Sequence, residues 1–236
     1  ARRAHRGRRC AIVLTAPAFG AWIPEPRMSL TLYGVAASRT SRPLWMLEEL
    51  GVPYERVKTH FLGGESRAPH MLALNPNGRI PVLVDGDIVV WESLAINLYL
   101  ARRFGGPLAP ASLAEEAGTL RWSFWAMTEC EKDALAILFH RFVLPPEQRK
   151  PALADAAEKA LARPYGVLEA ELDGRDYLLG DRFTVADLNV ASVLAWAAAA
   201  PKLREDHPRV RAWLKRCLGR PAQQKVMEMA RAERAA

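Results

Sequence analysis

Three short runs carry polar groups where strands and helices should begin or end, the positions at which ligand sites are usually built. Residues 37–42 read Ala-Ser-Arg-Thr-Ser-Arg, so Ser38, Thr40 and Ser41 offer hydroxyls just ahead of an apolar helical run. Residues 75–83 read Asn-Pro-Asn-Gly-Arg-Ile-Pro-Val-Leu. A proline at the head of a strand exposes the backbone of the residue before it, here Ile80, and a cis bond to Pro81 would fix that exposure. An extended, peptide-like ligand can then pair with the strand edge. The third run is Glu92-Ser93, ahead of another apolar helical run. A hydroxyl and free N–H groups at a helix N-terminus suit an anion, and the Glu92 carboxylate beside them suits an ammonium group. Singly, each run has a plainer reading as a helix cap or a turn.

Other chemistries lack their residues. The five histidines are scattered without a H-E-x-x-H or Cys/His spacing, so no metal is expected. No G-x-G-x-x-G, G-x-x-x-x-G-K-[ST] or G-x-S-x-G run occurs. The three cysteines form no close pair, which excludes a disulfide framework and a C-x-x-C motif and suits a reducing compartment. The expectation is a cytoplasmic protein in which Cys130 and Cys217 are structural.

The elements that must hold these runs begin at residue 30. Residues 30–34 read as a short strand ending at Gly34. Ser41 as N-cap and Pro43 in the first turn open a helix with Leu44, Leu47 and Leu50 at helical spacing, stopped by Gly51. Residues 54–58 read as a second strand, and a short helix lies around 68–74. Residues 81–91 form a hairpin about an Asp-Gly turn, and a helix over 93–103 closes a β-α-β-α-β-β-α unit. Residues 104–112 are rich in proline and glycine and read as a linker. Beyond them only helices are indicated, over 113–142, 152–173 with Pro164 as a kink, 185–200, and after Pro208. The 185–200 segment is apolar nearly all round, which predicts the buried axis of a helical domain. Thr184 and Asp187 have the spacing of a capping box at its start.

The 236 residues carry a net charge of +7, which raises nucleic acid or anionic membrane as a partner. Residues 1–27, however, hold six arginines against the single acid Glu25, so most of the excess sits in one extension, read as disordered. The apolar stretches fall short of the roughly 18–20 residues a spanning helix needs. Neither membrane nor nucleic acid is an expected partner.

Taken together, the three runs resemble the glutathione transferase family in its serine-dependent bacterial and theta-like branch. The matching residues are Leu-Tyr-Gly (32–34) with the turn 37–42, Asn-Pro-Asn-Gly-Arg-Ile-Pro-Val-Leu (75–83), Glu92-Ser93 with its following helix, and Thr184-Val-Ala-Asp187. The resemblance covers residues 28–230. It implies a thioredoxin-like glutathione-binding domain over 28–105 and an all-helical domain over 113–233 that contributes the electrophile pocket. It also implies glutathione as co-substrate, a small and mainly apolar electrophile, and a two-fold homodimer. By the resemblance Ile80 pairs with the cysteinyl backbone of glutathione and Pro81 is cis. Glu92 and Ser93 hold the γ-glutamyl unit, and Arg79, less directly Arg67 or His60, meets the glycyl carboxylate. Ser38 lies four residues before Arg42, as the catalytic serine precedes the helix arginine in theta-like enzymes, with Thr40 and Ser41 as alternative donors. Tyr33, before Gly34, reads as a packing residue. Trp122 and Trp125 are candidates for the electrophile pocket, with core or dimer contact as the alternative.

The chemistry this asks for is definite. A free thiol has a pKa of about 8.5 and only its thiolate is nucleophilic. Lowering that pKa by ~2 units requires about 2.7 kcal/mol of preferential thiolate stabilisation, which a hydroxyl hydrogen bond aided by a helix N-terminus can supply. The same thiolate could serve peroxide reduction, dehalogenation or ether cleavage, and a non-catalytic binding or stress-regulatory protein on the same fold is the remaining alternative.

Overall fold

A computed structural model describes residues 30–235, so the basic extension over 1–27 lies outside the described residues. Four strands form the sheet: β1 (Leu30–Tyr33), β2 (Glu55–Val57), β3 (Val82–Asp85) and β4 (Ile88–Trp91). Their order is β2-β1-β3-β4, with β1 parallel to β2 and antiparallel to β3, and β3 antiparallel to β4. The parallel pair needs a crossover helix, supplied by α1 (Ser41–Leu50). The antiparallel pair needs only the two-residue turn Gly86-Asp87, where Gly86 has φ 58°. The short α2 (Pro69–Leu74) and α3 (Ser93–Phe104) complete the βαβαββα unit.

The remainder is helical: α4 (Leu113–Trp125), α5 (Glu131–Leu138), α6 (Pro151–Glu171), α7 (Val185–Leu194), α8 (Pro201–Asp206), α9 (Pro208–Leu218) and α10 (Pro221–Ala235). Every residue of α7 is buried, as its all-round apolar composition predicts. Its start is a capping box: the Thr184 hydroxyl accepts from the Ala186 N–H, and Asp187 accepts from the Thr184 N–H at 3.0 Å. Asp187 also accepts from the Leu178 N–H at 2.9 Å and Trp213 Nε1 at 3.0 Å, tying α7 to the preceding loop and to α9.

One continuous core joins the sheet unit to the helical part. Leu30, Leu32, Leu44, Trp45 and Leu83 belong to the same buried cluster as Leu161, Leu188 and Trp213. Polar links cross the same boundary. Asn97 of α3 donates to Asn189 of α7 at 2.8 Å, and Asn189 donates to Ser123 of α4 at 2.9 Å. Glu49 of α1 takes both arms of Arg220, at 2.6 and 2.8 Å.

Several expected boundaries move. Ser41 is the first residue of α1 rather than its cap, and Thr40 makes no side-chain cap bond. The N–H groups of Ser41 and Arg42 bond back to the Ser38 and Arg39 carbonyls, so the preceding turn satisfies the donors a cap would serve. The 113–142 helix is interrupted by wider π turns at Ala126–Cys130 and Phe139–Val143. The 185–200 helix stops at Leu194 and tightens into a 3₁₀ turn, Ala195–Ala197. The helix expected after Pro208 is two, because Pro221 lacks an N–H and disfavours helical backbone at Arg220.

Candidate functional site

The sheet register sets Tyr33, Val82 and Trp91 side by side across β1, β3 and β4. The chain leaves β1 at Tyr33, enters β3 at Val82 and leaves β4 at Trp91. The segments 34–40, 75–81 and 92–93 therefore emerge at the same end of the sheet.

The first segment is a tight turn. Gly34 has φ 138°, and a Cβ there would lie 2.1 Å from Thr40 Oγ1, so the turn closes only over glycine. Thr40 is wholly buried beneath it, whereas Ser38 is partly exposed. Ser38 Oγ donates to the Val35 carbonyl at 2.7 Å, accepts from the Thr40 N–H at 3.1 Å and lies 3.0 Å from Thr40 Oγ1. Of the three candidate residues, Thr40 is buried and Ser41 lies in the first turn of α1, which leaves Ser38 as the partly exposed one within the turn.

The second segment is pinned from inside. Asn75 Nδ2 donates to the Arg79 carbonyl at 2.8 Å, while its Oδ1 accepts from the Asn77 N–H at 3.1 Å. The Ile80–Pro81 bond is cis, as the resemblance implies. Arg79 is exposed, and the exposed Arg67 runs its stem against Gly78. His60 is exposed on the loop after β2.

The third segment turns sharply. Glu92, exposed, has φ 71°, the one positive φ outside glycine among the described residues. Ser93 is the first residue of α3 and is buried, its Oγ accepting from Arg42 Nη1 at 3.1 Å. The helix that follows the first segment is thus joined directly to the third.

Arg42 is only 1% exposed. Its guanidinium stacks 4.5 Å from the centroid of Trp196 and lies 3.5 Å from Glu131, and its Nε has no partner among the described residues. Burial pushes its pKa down to about 10, opposed chiefly by Glu131, so it stays cationic at neutral pH. Arg39, beside Ser38, donates to the same Glu131 at 2.7 Å and lies over the same Trp196 ring. The π turn before Glu131 inserts a residue and so rotates α5 about the helix axis relative to α4. The sequence marks Arg42 only by its spacing from Ser38; Arg39, Glu131 and Trp196 carry no motif. The available signal was an arginine beside Pro43 at the head of an apolar run.

The family descriptions "Glutathione S-transferase, N-terminal domain" and "Glutathione S-transferase, C-terminal domain" match residues 28–102 and 132–221. The chain belongs to the glutathione S-transferase family. It is 36% identical over 210 residues to glutathione S-transferase 3 of Zea mays, covering 84% of this chain and 93% of that one. A theta class glutathione S-transferase from Xanthomonas axonopodis pv. citri, solved with glutathione bound, superposes with a TM-score of 0.77. It is 32% identical, over 84% of this chain and 96% of that one. Glutathione S-transferase I from mais, solved with an atrazine glutathione conjugate, gives a TM-score of 0.76 at 32% identity, over 86% and 98% of the two chains.

In this glutathione S-transferase Cys130 and Cys217 are buried, and burial pushes the Cys130 thiol up to about 12 and that of Cys217 well above its ordinary range. Neither of these protein thiols is ionised near neutral pH. No group of acidic, histidine or cysteine side chains among the described residues could hold a metal ion, and no described helix is long and apolar enough to cross a membrane. The aromatic residues of α4 divide. Trp122, expected as a candidate pocket residue, is 3% exposed, edge-to-face with Trp125 at 5.0 Å, and belongs to the main core. Trp125 is half-buried, and Phe124 faces solvent. A groove of about 570 Å³ opens instead beside the Ser38 turn, lined by Val35, Arg56, Lys58, His60, Met229 and Glu233 among others.

Proposed function

We propose that the enzyme binds reduced glutathione along the rim formed by the three segments, ionises its thiol at Ser38, and joins the sulfur to an electrophilic, mainly apolar small molecule. The carrying observation is the shared register of Tyr33, Val82 and Trp91, which brings the three runs to one end of the sheet. Ile80, leading β3 from the cis bond, is suited to pair with the cysteinyl backbone. Ser93 and the exposed Glu92 suit the carboxylate and ammonium of the γ-glutamyl unit, with the buried charge of Arg42 behind them. Arg79, seconded by Arg67, suits the glycyl carboxylate.

In the free enzyme the Ser38 hydroxyl donates to Val35. Rotation about one side-chain bond redirects that donor to the thiolate, while the backbone bond from Thr40 still holds the oxygen. The thiol proton leaves to solvent, the sulfur lone pair forms the new C–S bond, and the electrophile either takes up a proton or loses its leaving group. The Xanthomonas and mais relatives, solved with glutathione and with an atrazine conjugate, support the two reactant classes. A two-fold dimer is the expected assembly, supported by the exposed stripe Leu113, Leu120 and Phe124 along α4.

The test is conjugation of a chloronitroaromatic acceptor, with glutathione binding followed by calorimetry. Turnover that depends on Ser38, with the pH–rate profile moved upward in Ser38→Ala, is the expected result. Absent binding at millimolar glutathione would favour a regulatory protein, and an unchanged Ser38→Ala enzyme would remove the catalytic assignment.

A further inference from the structure

Arg56 on β2 and Glu233 near the end of α10 converge on the turn that holds Ser38, although they lie far apart in the chain. Arg56 Nε donates to the Gly34 carbonyl at 3.3 Å, and its Nη2 pairs with Glu233 Oε1. Glu233 Oε2 accepts from the Ala36 N–H at 2.6 Å. The two side chains grip the turn on either side of Val35, and both are largely buried, at 15% and 10% exposure.

A trans peptide is planar, with its N–H and C=O pointing in opposite directions. The Ala36 N–H and the Val35 C=O belong to one peptide unit. Fixing that N–H on Glu233 therefore fixes the carbonyl that Ser38 Oγ engages at 2.7 Å. A carboxylate on the N–H also polarises the unit and strengthens its carbonyl as an acceptor. α10 packs chiefly through the buried Gln223 and Val226, with Met229 and Ala230 half-buried against the core, so most of its packing involves residues other than Glu233. Lys225 anchors the same helix to α1 through Glu48 at 2.6 Å, independently of the turn.

We propose that Glu233, oriented by Arg56, is a positioning residue that sets the Ser38 hydroxyl by holding the Val35–Ala36 peptide plane. This deepens the assignment of Ser38 given above and rests on it.

The experiment measures kcat, KM for glutathione and the pH–rate profile in Glu233→Ala, Glu233→Asp and Glu233→Gln, each alone and with Ser38→Ala. Glu233→Ala should lower kcat/KM about tenfold and raise the kinetic pKa of the bound thiol by about one unit, mostly through kcat. Glu233→Asp, one methylene too short to span both partners, keeps the charge and should behave alike should the alanine variant fold poorly. Glu233→Gln, whose amide oxygen still accepts from Ala36, should recover most of the rate. Lys225→Ala, which removes the other ion pair of α10, should stay within about twofold, as expected for an exposed pair. In the Ser38→Ala background the Glu233 substitutions should add nothing further. An impaired Ser38→Ala beside unimpaired Glu233→Ala and Glu233→Asp overturns this inference alone, as does a Glu233 effect of equal size in both backgrounds. An unimpaired Ser38→Ala overturns the catalytic assignment and the inference with it.

Discussion

At the start of α7, Thr184 is wholly buried, its hydroxyl faces the Ala186 N–H and Asp187, and Asp187 collects further donors from Leu178 and Trp213. At the start of α1, a similar cluster of hydroxyls serves the helix hardly at all. Thr40 makes no side-chain cap bond, and Ser38, at a partly exposed site, gives its proton to the Val35 carbonyl, outside the helix. The difference is one of available donors. Around Asp187 every polar group has a fixed partner inside the protein, so the arrangement can only resist change. Around Ser38 the helix is already satisfied by the turn's own carbonyls, which leaves one hydroxyl free to change partner, as the proposed thiolate contact requires. A folding site uses up its hydrogen-bonding capacity; a chemical site keeps one donor in reserve.

The strongest break of this comparison is Asp187→Ala. It leaves the buried N–H groups of Thr184, Leu178 and Trp213 without their acceptor, each at about 1–3 kcal/mol. A loss of at least about 3 kcal/mol follows, roughly 6–12 °C in the melting midpoint for a chain of this size, read by calorimetry. Turnover per folded molecule should be unchanged. Burial holds the Asp187 carboxyl above its ordinary range against the pull of its donors, so part of its ionised form's cost is already borne by the fold. Asp187→Asn, which never ionises and keeps an acceptor oxygen, should therefore lose clearly less than the alanine variant.

Ser38→Ala should do the reverse. Losing a donor that lowers the thiol pKa by ~2 units corresponds to about 2.7 kcal/mol, or roughly a hundredfold in kcat/KM at neutral pH. The kinetic pKa should rise toward that of the free thiol, about 8.5. Since Ser38 is only partly buried and its bonds are local, the melting midpoint should move by no more than about 2 °C. A large drop in stability would erase the distinction between the two helix starts.

Whether a feature is legible in the sequence depends on the range of the interaction that makes it. The hairpin and the buried α7 are written in local periodicity and turn chemistry, and each appears in the fold. The capping box at Thr184 was legible because its two partners lie three residues apart. The three polar runs were legible as motifs, but their convergence depends on the register of β1, β3 and β4, which no run contains. Least legible were the contacts between distant helices. Glu131, which contacts Arg39 and Arg42, directly follows a π turn, and Trp196, which covers Arg42, lies in the 3₁₀ turn that ends α7. Neither irregularity has a mark in local propensity. Trp122 shows the same limit from the other side, since an aromatic stripe does not reveal which ring faces the core.

The smallest expected effect belongs to Thr184 itself. Thr184→Ala removes the hydroxyl that accepts from the Ala186 N–H but leaves the Thr184 backbone bond to Asp187 in place. The cost should be that of a lost N-cap, about 1 kcal/mol within a range of 0.5–2, or roughly 2–4 °C, and Thr184→Ser should restore most of it. This substitution also tests whether the two helix starts are independent. The helix that Thr184 begins runs into the turn bearing Trp196, whose ring lies over Arg42, and Arg42 in turn holds Ser93. If the local loss stays local, kcat/KM in Thr184→Ala equals that of the parent enzyme once corrected for the folded fraction. A kcat/KM lowered beyond that correction, with KM for glutathione raised, would mean that α7 transmits its cap to the Ser93 end of the proposed site, and the two regions would have to be treated as one.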